Sequence, residues 1–146
     1  MVRRPLSQTE FNDIFSKVPR LTIEIILISE KGVLFTKRQI EPCKGMWHMP
    51  GGTVRFGEPL TGAVHRVGEA EIGNKLIVDD FLGYIEYPSH YDKGLDSPVG
   101  MAFKTSLQGL LSDFELDDNM QWFTRLPDNM HDEQKRFLID HQILKT

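Results

Sequence analysis

The sequence has a single cysteine, Cys43, among its 146 residues. One thiol cannot form a disulfide within the chain or build a zinc site from cysteines alone. Basic residues are also scarce, because 17 lysines and arginines are outnumbered by 21 aspartates and glutamates, which gives a net charge of −4. Domains that bind nucleic acid through its phosphates carry a basic surface. The composition therefore predicts no nucleic-acid partner.

Long apolar stretches are absent as well. The longest aliphatic run, residues 25–28, is far shorter than the roughly 20 residues of a membrane-spanning helix. The first residues lack the apolar segment of a secretion signal, and no repeat or Pro/Gly-rich linker divides the chain. We therefore predict one soluble, cytoplasmic domain over residues 1–146, without a membrane partner.

Capping residues and hydrophobic spacing predict the order of the secondary structure. Ser7 and Glu10 have the spacing of a capping box, which predicts a helix over residues 8–17. Further helices are predicted over residues 59–72 and 130–144, a polar loop over residues 88–98, and strands over residues 21–29, 33–38, 47–49, 76–87, 99–107 and 120–124. This order predicts an α+β fold in which helices cover the faces of a mixed β-sheet.

One segment, residues 52–73, has a spacing of glycines and charged residues that indicates chemistry. Its spaced residues are Gly52, Glu58, Arg66, Glu71 and Gly73. A Trp-x-x-Pro-Gly sequence at residues 47–51 comes directly before it. Together these residues resemble the Nudix box, a loop–helix–loop segment that binds a divalent metal and engages a diphosphate. The resemblance implies a Nudix-type α/β/α sandwich with a mixed β-sheet.

The segment departs from the usual Nudix pattern at two positions. The usual pattern has three glutamates in the core of its helix, whereas this sequence has Val67 and Ala70 at the first two positions and retains only Glu71. On an α-helix residues 67 and 71 share a face, with 70 beside them, so the helix offers one carboxylate instead of three. A site with so little charge is expected to bind Mg²⁺, with Mn²⁺ as an alternative, that keeps waters and takes phosphate oxygens from its substrate.

The altered pattern resembles the GDP-mannose mannosyl hydrolase branch of the family, which also lacks the first two glutamates. Upstream, Gly32, Lys37, Arg38 and Gly45 lie at matching intervals. Members of that branch break the bond between the anomeric carbon of the sugar and the diphosphate. The resemblance therefore implies a nucleotide-sugar substrate and a homodimer.

The resemblance also implies roles for individual residues. The carbonyl of Gly51 and the carboxylate of Glu71 match the metal ligands of the branch. Arg38 matches an arginine near the diphosphate, with a role in both binding and catalysis, and Glu24 stands where the branch has a substrate-binding aspartate. Arg66 matches an arginine of the active helix, where it either takes part in catalysis or pairs with a carboxylate to hold the helix.

The general base is the position at which the sequence departs furthest from the branch. The expected histidine lies shortly upstream of Trp122, but residues 114–121 contain no histidine. Spacing makes Asp117 the predicted base, and His90 in the polar loop is an alternative. Phe11 is a candidate for stacking on the nucleobase, or else an aromatic residue of the core.

The sequence supports three hypotheses about function. The preferred one is Mg²⁺-dependent hydrolysis of a nucleoside diphosphate sugar, of the GDP-mannose or GDP-glucose type, to nucleoside diphosphate and free sugar. The second is a pyrophosphohydrolase that cuts between phosphates and takes carboxylates from outside the helix, such as Glu115 or Asp118. The third is a Nudix-fold binding module that has lost catalysis, which Val67 and Ala70 favour.

Overall fold

Four helices and seven strands form the described part of the computed structural model, residues 5–40, 43–91 and 96–146. The helices are α1 (Gln8–Phe15), α2 (Leu60–Val67), α3 (Pro88–Tyr91) and α4 (Asp132–Asp140). The strands are β1 (Arg20–Ser29), β2 (Gly32–Lys37), β3 (Trp47–His48), β4 (Gly51–Thr53), β5 (Leu76–Glu86), β6 (Pro98–Leu107) and β7 (Met120–Phe123). A π-helical turn, Gly68–Ile72, extends α2, and a short 3₁₀ turn covers Leu111–Asp113.

Strand β1 lies at the centre of the mixed sheet, whose order is β3-β2-β1-β6-β5. It runs parallel to β6 and antiparallel to β2 and β4, while β7 pairs with β2. Ile23, Ile25 and Leu27 of β1 pack into the hydrophobic cluster on the α2 side, and Ile26 packs into the cluster on the α4 side. Because helices cover both faces, β1 is buried from Thr22 to Leu27. The predicted α+β sandwich with a mixed sheet is confirmed.

The predicted capping box begins α1. The Ser7 amide donates to Glu10 Oε1 at 3.0 Å, and the Glu10 amide donates to Ser7 Oγ at 3.2 Å. The helix ends at Phe15, two residues before its predicted end. Helix α4 is also shorter than predicted, because Gln142 takes a positive φ of 57° that a helix cannot continue through.

The second predicted helix changes character before its end. Its last part is the π-helical turn Gly68–Ile72. Gly68 lets this turn approach β5 closely, because a Cβ at this position would lie 2.9 Å from Leu76 Cδ1. Gly73 then takes a positive φ of 77°, and its amide donates to the Gly68 carbonyl at 2.9 Å. Turns of this kind are frequent at functional sites. This one carries Glu71.

Two short elements were not expected from the sequence. Strand β4 consists of two glycines and a threonine, and glycine is a poor strand former. Helix α3 lies within the predicted loop 88–98, of which residues 92–95 fall outside the described residues. None of the helices in the described part of the chain has the length and apolar character that crossing a membrane requires.

Candidate active site

Gly51 of β4 directs its backbone polar groups away from the sheet. Its partner on β1 is Glu24. In the next pair of the ladder the Ile25 amide donates to Pro50 O at 2.8 Å, and three pairs away in the other direction the Val54 amide donates to Leu21 O at 3.0 Å. In an antiparallel ladder, hydrogen-bonded pairs alternate with pairs that exchange no hydrogen bond. The Glu24–Gly51 pair is of the second kind, so the Gly51 N–H and C=O both point to the side opposite β1.

The Glu71 carboxylate lies on that side. The Gly51 amide donates a hydrogen bond to it. Burial around the carboxyl group raises the pKa of Glu71 above its usual value, although the Gly51 hydrogen bond and the charge of Arg66 act in the opposite direction. Because the Gly51 carbonyl points the same way as its amide, the structure brings together the two groups that the sequence suggests as metal ligands.

Glu24 is buried beside them between two glycines. A Cβ on Gly51 would lie 2.6 Å from Glu24 Oε2, and a Cβ on Gly100 would lie 2.6 Å from Oε1, so only glycines leave room for this carboxyl group. The Thr22 and Tyr87 hydroxyls each donate to Oε1 at 3.1 Å. Burial raises the pKa of Glu24 to about 7 in spite of these hydrogen bonds. Glu24 therefore changes its charge near neutral pH.

These oxygen atoms fit a hard divalent cation. Oxygen ligands are those that Mg²⁺ prefers, and Mg²⁺ usually keeps several waters and binds substrate phosphates. The charge of Glu71 contributes to raising the pKa of Glu24. Across the described residues, no group of three or more His, Cys, Asp or Glu side chains could hold a metal ion. The Gly51 carbonyl and Glu71 thus suit an open site, completed by water and phosphate.

The two positions that carry glutamate in the usual pattern have different surroundings here. Val67 is only 2% exposed and belongs to the core, and a Cβ on Gly52 would lie 3.0 Å from its Cγ2 atom. Ala70 is exposed. Neither side chain can ligate a metal, so of these three positions only Glu71 carries a carboxylate.

Arg66 holds the loop before α2 to the helix. Its Nε donates to Glu58 Oε2 at 2.8 Å, and its Nη2 donates to Glu58 Oε1 and to Thr53 O, both at 2.9 Å. The hydrogen bond from Arg66 lowers the pKa of Glu58 below its usual value. Of the two roles that the sequence allows for Arg66, this geometry favours the structural one.

A cavity of about 140 Å³ opens next to Glu24 and Gly51, and we call it the Glu24 cavity. Its polar lining includes Arg20, Glu24, Arg38, Tyr87, His90 and His131. A second cavity of about 390 Å³, the Asp96 cavity, is lined by Phe11, Asn12, Phe15, Ser16, Arg20, Arg38, His90 and Asp96. Arg20, Arg38 and His90 line both, so the two cavities adjoin.

The predicted substrate-binding residues are distributed over these two cavities. Glu24 lines the first, Phe11 lines the second, and Arg38 lines both. The Arg20 guanidinium lies 5.4 Å from the centre of the Phe11 ring. The structure therefore places the three predicted substrate contacts around one connected space.

Asp117, the predicted base, lies elsewhere. It is exposed in the turn before β7, where its carboxylate accepts a hydrogen bond from the Asn119 amide at 2.8 Å. Neither Asp117 nor Arg66 lines the Glu24 cavity or the Asp96 cavity. Asp117 therefore lies apart from the other predicted site residues. Arg66 is near enough to Glu71 for its charge to act on that carboxyl group, and it lines a further cavity together with Phe11.

Of the three histidines around the Glu24 cavity, the sequence analysis named His90 as an alternative base but did not identify His48 or His131. His90 of α3 and His131, which precedes α4, stack with ring centres 5.5 Å apart. Burial, with the charge of neighbouring groups, lowers the pKa of His131 to about 4, and burial lowers the pKa of His48. Sequence spacing does not group these histidines, because they come from distant segments.

His90 also belongs to a charged chain that starts at the first residue of β1. Arg20 donates to Asp96 Oδ2 through Nη2 at 2.7 Å and through Nε at 3.2 Å. The other oxygen, Asp96 Oδ1, lies 3.0 Å from His90 Nδ1. The His90 hydrogen bond and the Arg20 pair lower the pKa of Asp96 to about 2. Asp96 is therefore ionised at neutral pH.

Comparison with known proteins agrees with this architecture. The NUDIX domain model matches residues 18–138. The low-salt glycan biosynthesis protein Agl8 of Haloferax volcanii is 33% identical over 132 residues, which cover 88% of this chain and 76% of that protein. An ADP-ribose pyrophosphatase of Methanocaldococcus jannaschii is 32% identical over 76 residues, 52% of this chain and 45% of that protein.

Among solved structures, a NUDIX hydrolase from Nitrosomonas europaea superposes with a TM-score of 0.65 and 22% identity, over 89% of this chain and 76% of that one. The fold, the spaced residues and these matches define a Nudix domain, and the chain belongs to the Nudix hydrolase family. Enzymes of this family act on small nucleoside diphosphate derivatives, and they generally use divalent metals. The predicted enzyme class is confirmed.

Proposed function

We propose that the protein hydrolyses a nucleoside diphosphate sugar at the bond between the anomeric carbon and the diphosphate. The observation that carries this proposal is that, of the three positions that carry glutamate in the usual pattern, only Glu71 has a carboxylate, with Val67 in the core and Ala70 without a ligand atom. Attack on phosphorus in this family relies on clustered helix carboxylates. Departure of an intact diphosphate needs fewer metal ligands, because a cation has to stabilise only the leaving group while a separate base activates water.

Positive charge is available where the diphosphate would lie. Arg38 lines both cavities, and its planar guanidinium matches the geometry of phosphate oxygens. Its backbone is fixed, since the Arg38 amide donates to Met46 O at 2.9 Å and its carbonyl accepts from the Gly45 amide at 2.8 Å. A divalent cation bound to the Gly51 carbonyl and Glu71 would supply further positive charge for the leaving diphosphate.

The two cavities provide room for the remaining parts of such a substrate. The Asp96 cavity, at about 390 Å³, is within the usual size range of small-molecule pockets and has Phe11 on its wall for a nucleobase. The smaller Glu24 cavity would take the sugar. The relative named for glycan biosynthesis supports a sugar-containing substrate. We take GDP-mannose or GDP-glucose as the substrate type, on the resemblance to the mannosyl hydrolase branch.

The same resemblance supports the remaining parts of the proposal. We propose a cytoplasmic homodimer that uses Mg²⁺, with Mn²⁺ as the alternative. Size-exclusion chromatography with light scattering tests the oligomeric state, and activity titrations with each cation test the metal. A monomer, or equal activity in excess chelator, would contradict the respective part.

A second candidate is cleavage between the phosphates. It is favoured by the similarity to an ADP-ribose pyrophosphatase over about half of the chain. This reaction would require carboxylates from outside the helix to complete the metal site, such as Glu115 or Asp118, and both are exposed.

Product analysis in ¹⁸O-labelled water separates the candidates. The enzyme is incubated with Mg²⁺ and a panel containing GDP-mannose, GDP-glucose and ADP-ribose. We expect nucleoside diphosphate and free sugar, with the label in the sugar. Label in a phosphate, together with a nucleoside monophosphate, would overturn the proposal in favour of pyrophosphate cleavage. Binding of nucleotide sugars without any turnover would instead indicate a binding module.

A further inference from the structure

His90 is held in one orientation by groups on three sides. Its ring stacks on His131 at 5.5 Å and meets the Tyr87 ring edge-on at 5.4 Å. Its Nδ1 atom lies 3.0 Å from Asp96 Oδ1. An imidazole fixed by stacking and by a carboxylate cannot rotate freely, so the position of its second nitrogen is set by the fold.

The Asp96 carboxylate determines which nitrogen of His90 carries hydrogen. Arg20 donates twice to Asp96 Oδ2, at 2.7 and 3.2 Å, and this pairing keeps the carboxylate ionised. An ionised carboxylate only accepts hydrogen bonds. Therefore His90 Nδ1 must donate, and in the neutral ring Nε2 presents a lone pair.

That second nitrogen is buried without a partner. His90 Nε2 has less than 1 Å² of accessible surface and makes no hydrogen bond within the described part of the chain. A buried acceptor without a partner is costly to a fold and calls for an explanation. His90 lines both the Glu24 cavity and the Asp96 cavity, next to Arg38. Its lone pair thus lies behind the wall that the two cavities share, without a partner among the described residues until substrate binding brings a polar group or a water against it.

We propose that His90 is the general base of this hydrolase, oriented by Asp96 and Arg20. The inference rests on the proposed function. A water oxygen bonds to the anomeric carbon while the bond from that carbon to the diphosphate oxygen breaks. The electron pair of the broken bond leaves with the nucleoside diphosphate. The water proton moves to His90 Nε2, and the Asp96 carboxylate stabilises the resulting imidazolium before the proton is released to solvent.

Other candidate bases in the described part of the chain are less suited. His131 lines the Glu24 cavity, but its burial among positive groups makes it a weak proton acceptor, with a pKa of about 4. Glu24 has its two oxygens confined by Gly51 and Gly100 and already accepts two hydrogen bonds. Asp117 is exposed and lines neither cavity.

The first test compares histidine variants of the full-length enzyme. We expect His90→Gln to lower kcat by about 10²–10⁴-fold, while the Kd for GDP measured by calorimetry stays within threefold. The exposed His65 on α2 is the matched control, and His65→Gln should leave kcat unchanged. Added imidazole should restore part of the activity of His90→Ala. A kcat for His90→Gln within threefold of wild type, or imidazole rescue of His131→Ala but not of His90→Ala, would overturn the proposal.

The second test examines the role of Asp96 as a positioning residue. Long-range ¹H–¹⁵N NMR correlations of the wild-type enzyme should show His90 protonated on Nδ1. In Asp96→Asn the amide can donate to Nδ1, so the hydrogen should move to Nε2, and kcat should fall with little change in KM. An Nε2-protonated His90 in the wild type would overturn the proposal, as would an Asp96→Asn enzyme with normal kcat.

The labelling experiment keeps this inference distinct from the proposed function. Label in the sugar with a normal His90→Gln enzyme would overturn the base assignment alone. Label in phosphate with a slow His90→Gln enzyme would overturn the proposed bond, and it would leave His90 as the residue that activates water. Absence of turnover on the whole panel would overturn both.

Discussion

Two arginine–carboxylate pairs flank the candidate site, and they use their carboxylates differently. Arg66 takes both oxygens of Glu58, at 2.8 and 2.9 Å. Arg20 takes only one oxygen of Asp96, at 2.7 and 3.2 Å, and the other oxygen lies 3.0 Å from His90. We call the Arg66–Glu58 pair the closed pair, because the arginine binds both carboxylate oxygens. The Arg20–Asp96 pair also orients His90, a side chain that lines both cavities.

The difference shows that the same chemical pair can serve two purposes. When the hydrogen bonds of a carboxylate are satisfied locally, as in Glu58, the pair ties one loop to one helix and acts on the stability of the fold. When one oxygen is directed at an imidazole, as in Asp96, the pair fixes a tautomer and so acts on reactivity. The direction of the second carboxylate oxygen is therefore more informative than the presence of the ion pair.

Apart from His90→Gln, the largest expected effect is at the end of the helix that Arg66 and Glu58 secure. Glu71→Gln should lower metal-dependent kcat by about 10²–10³-fold, the range for losing one group that stabilises transition-state charge. No other carboxylate of this helix end faces the Gly51 carbonyl, so the loss has no substitute. Steady-state kinetics with Mg²⁺ and Mn²⁺ binding by electron paramagnetic resonance measure it.

Glu69→Gln is the matched control for this prediction, because Glu69 lies on the same π-helical turn, is exposed, and has the same chemistry. Its activity and Mn²⁺ affinity should match those of the wild type. Near-normal turnover in Glu71→Gln would remove the argument for a metal ligand at this position.

A smaller effect is expected from opening the closed pair. Glu58→Gln should lower the free energy of unfolding by about 1–2 kcal/mol, since the pair is only partly screened by solvent. Because the pKa of Glu58 is lowered in the folded state, its contribution is present above pH 4.5, its ordinary pKa, and is lost as the pH falls through the folded value. Urea denaturation at pH 7 and at pH 3 measures both.

The comparison between the pairs predicts how kcat should respond to the same kind of change. Glu58→Gln should reduce the kcat of the folded enzyme far less than Asp96→Asn does. Equal losses of kcat in the two variants would mean that both pairs act only by stabilising the fold.

The segment with Arg66 and Glu71 could be recognised from the sequence, and the resemblance also suggested Glu24, Arg38 and Phe11. The chain from Arg20 through Asp96 to His90 could not be predicted. Glu58, Arg66 and Glu71 come from one continuous segment, so their spacing along the chain is visible in the sequence. Asp96 meets Arg20 because β1 runs parallel to β6 with Arg20 opposite Pro98. Sequence patterns predict strands, but not which strands pair or in what register.

The fold shows the same limit at the level of single elements. The capping box at Ser7 and the apolar run of β1 act locally, and both were predicted close to their observed bounds. Strand β4 has two glycines in three residues and exists because β1 offers it a partner. The π-helical turn depends on the close approach of Gly68 to Leu76, which is a tertiary contact. Long-range contacts therefore account for what the patterns missed.

The smallest expected effect concerns the arginine that lines both cavities. Arg38→Lys keeps the positive charge but loses the planar fork that binds two phosphate oxygens at once. We expect KM for the nucleotide sugar to rise roughly tenfold, which corresponds to about 1.4 kcal/mol of binding free energy, with a smaller change in kcat. Arg66→Lys is the informative comparison, because Arg66 lines neither cavity and its substitution should act on stability instead. Kinetics and thermal unfolding of both variants, measured side by side, distinguish an arginine that holds substrate from one that holds the fold. Unchanged KM and kcat in Arg38→Lys would show that Arg38, too, is structural.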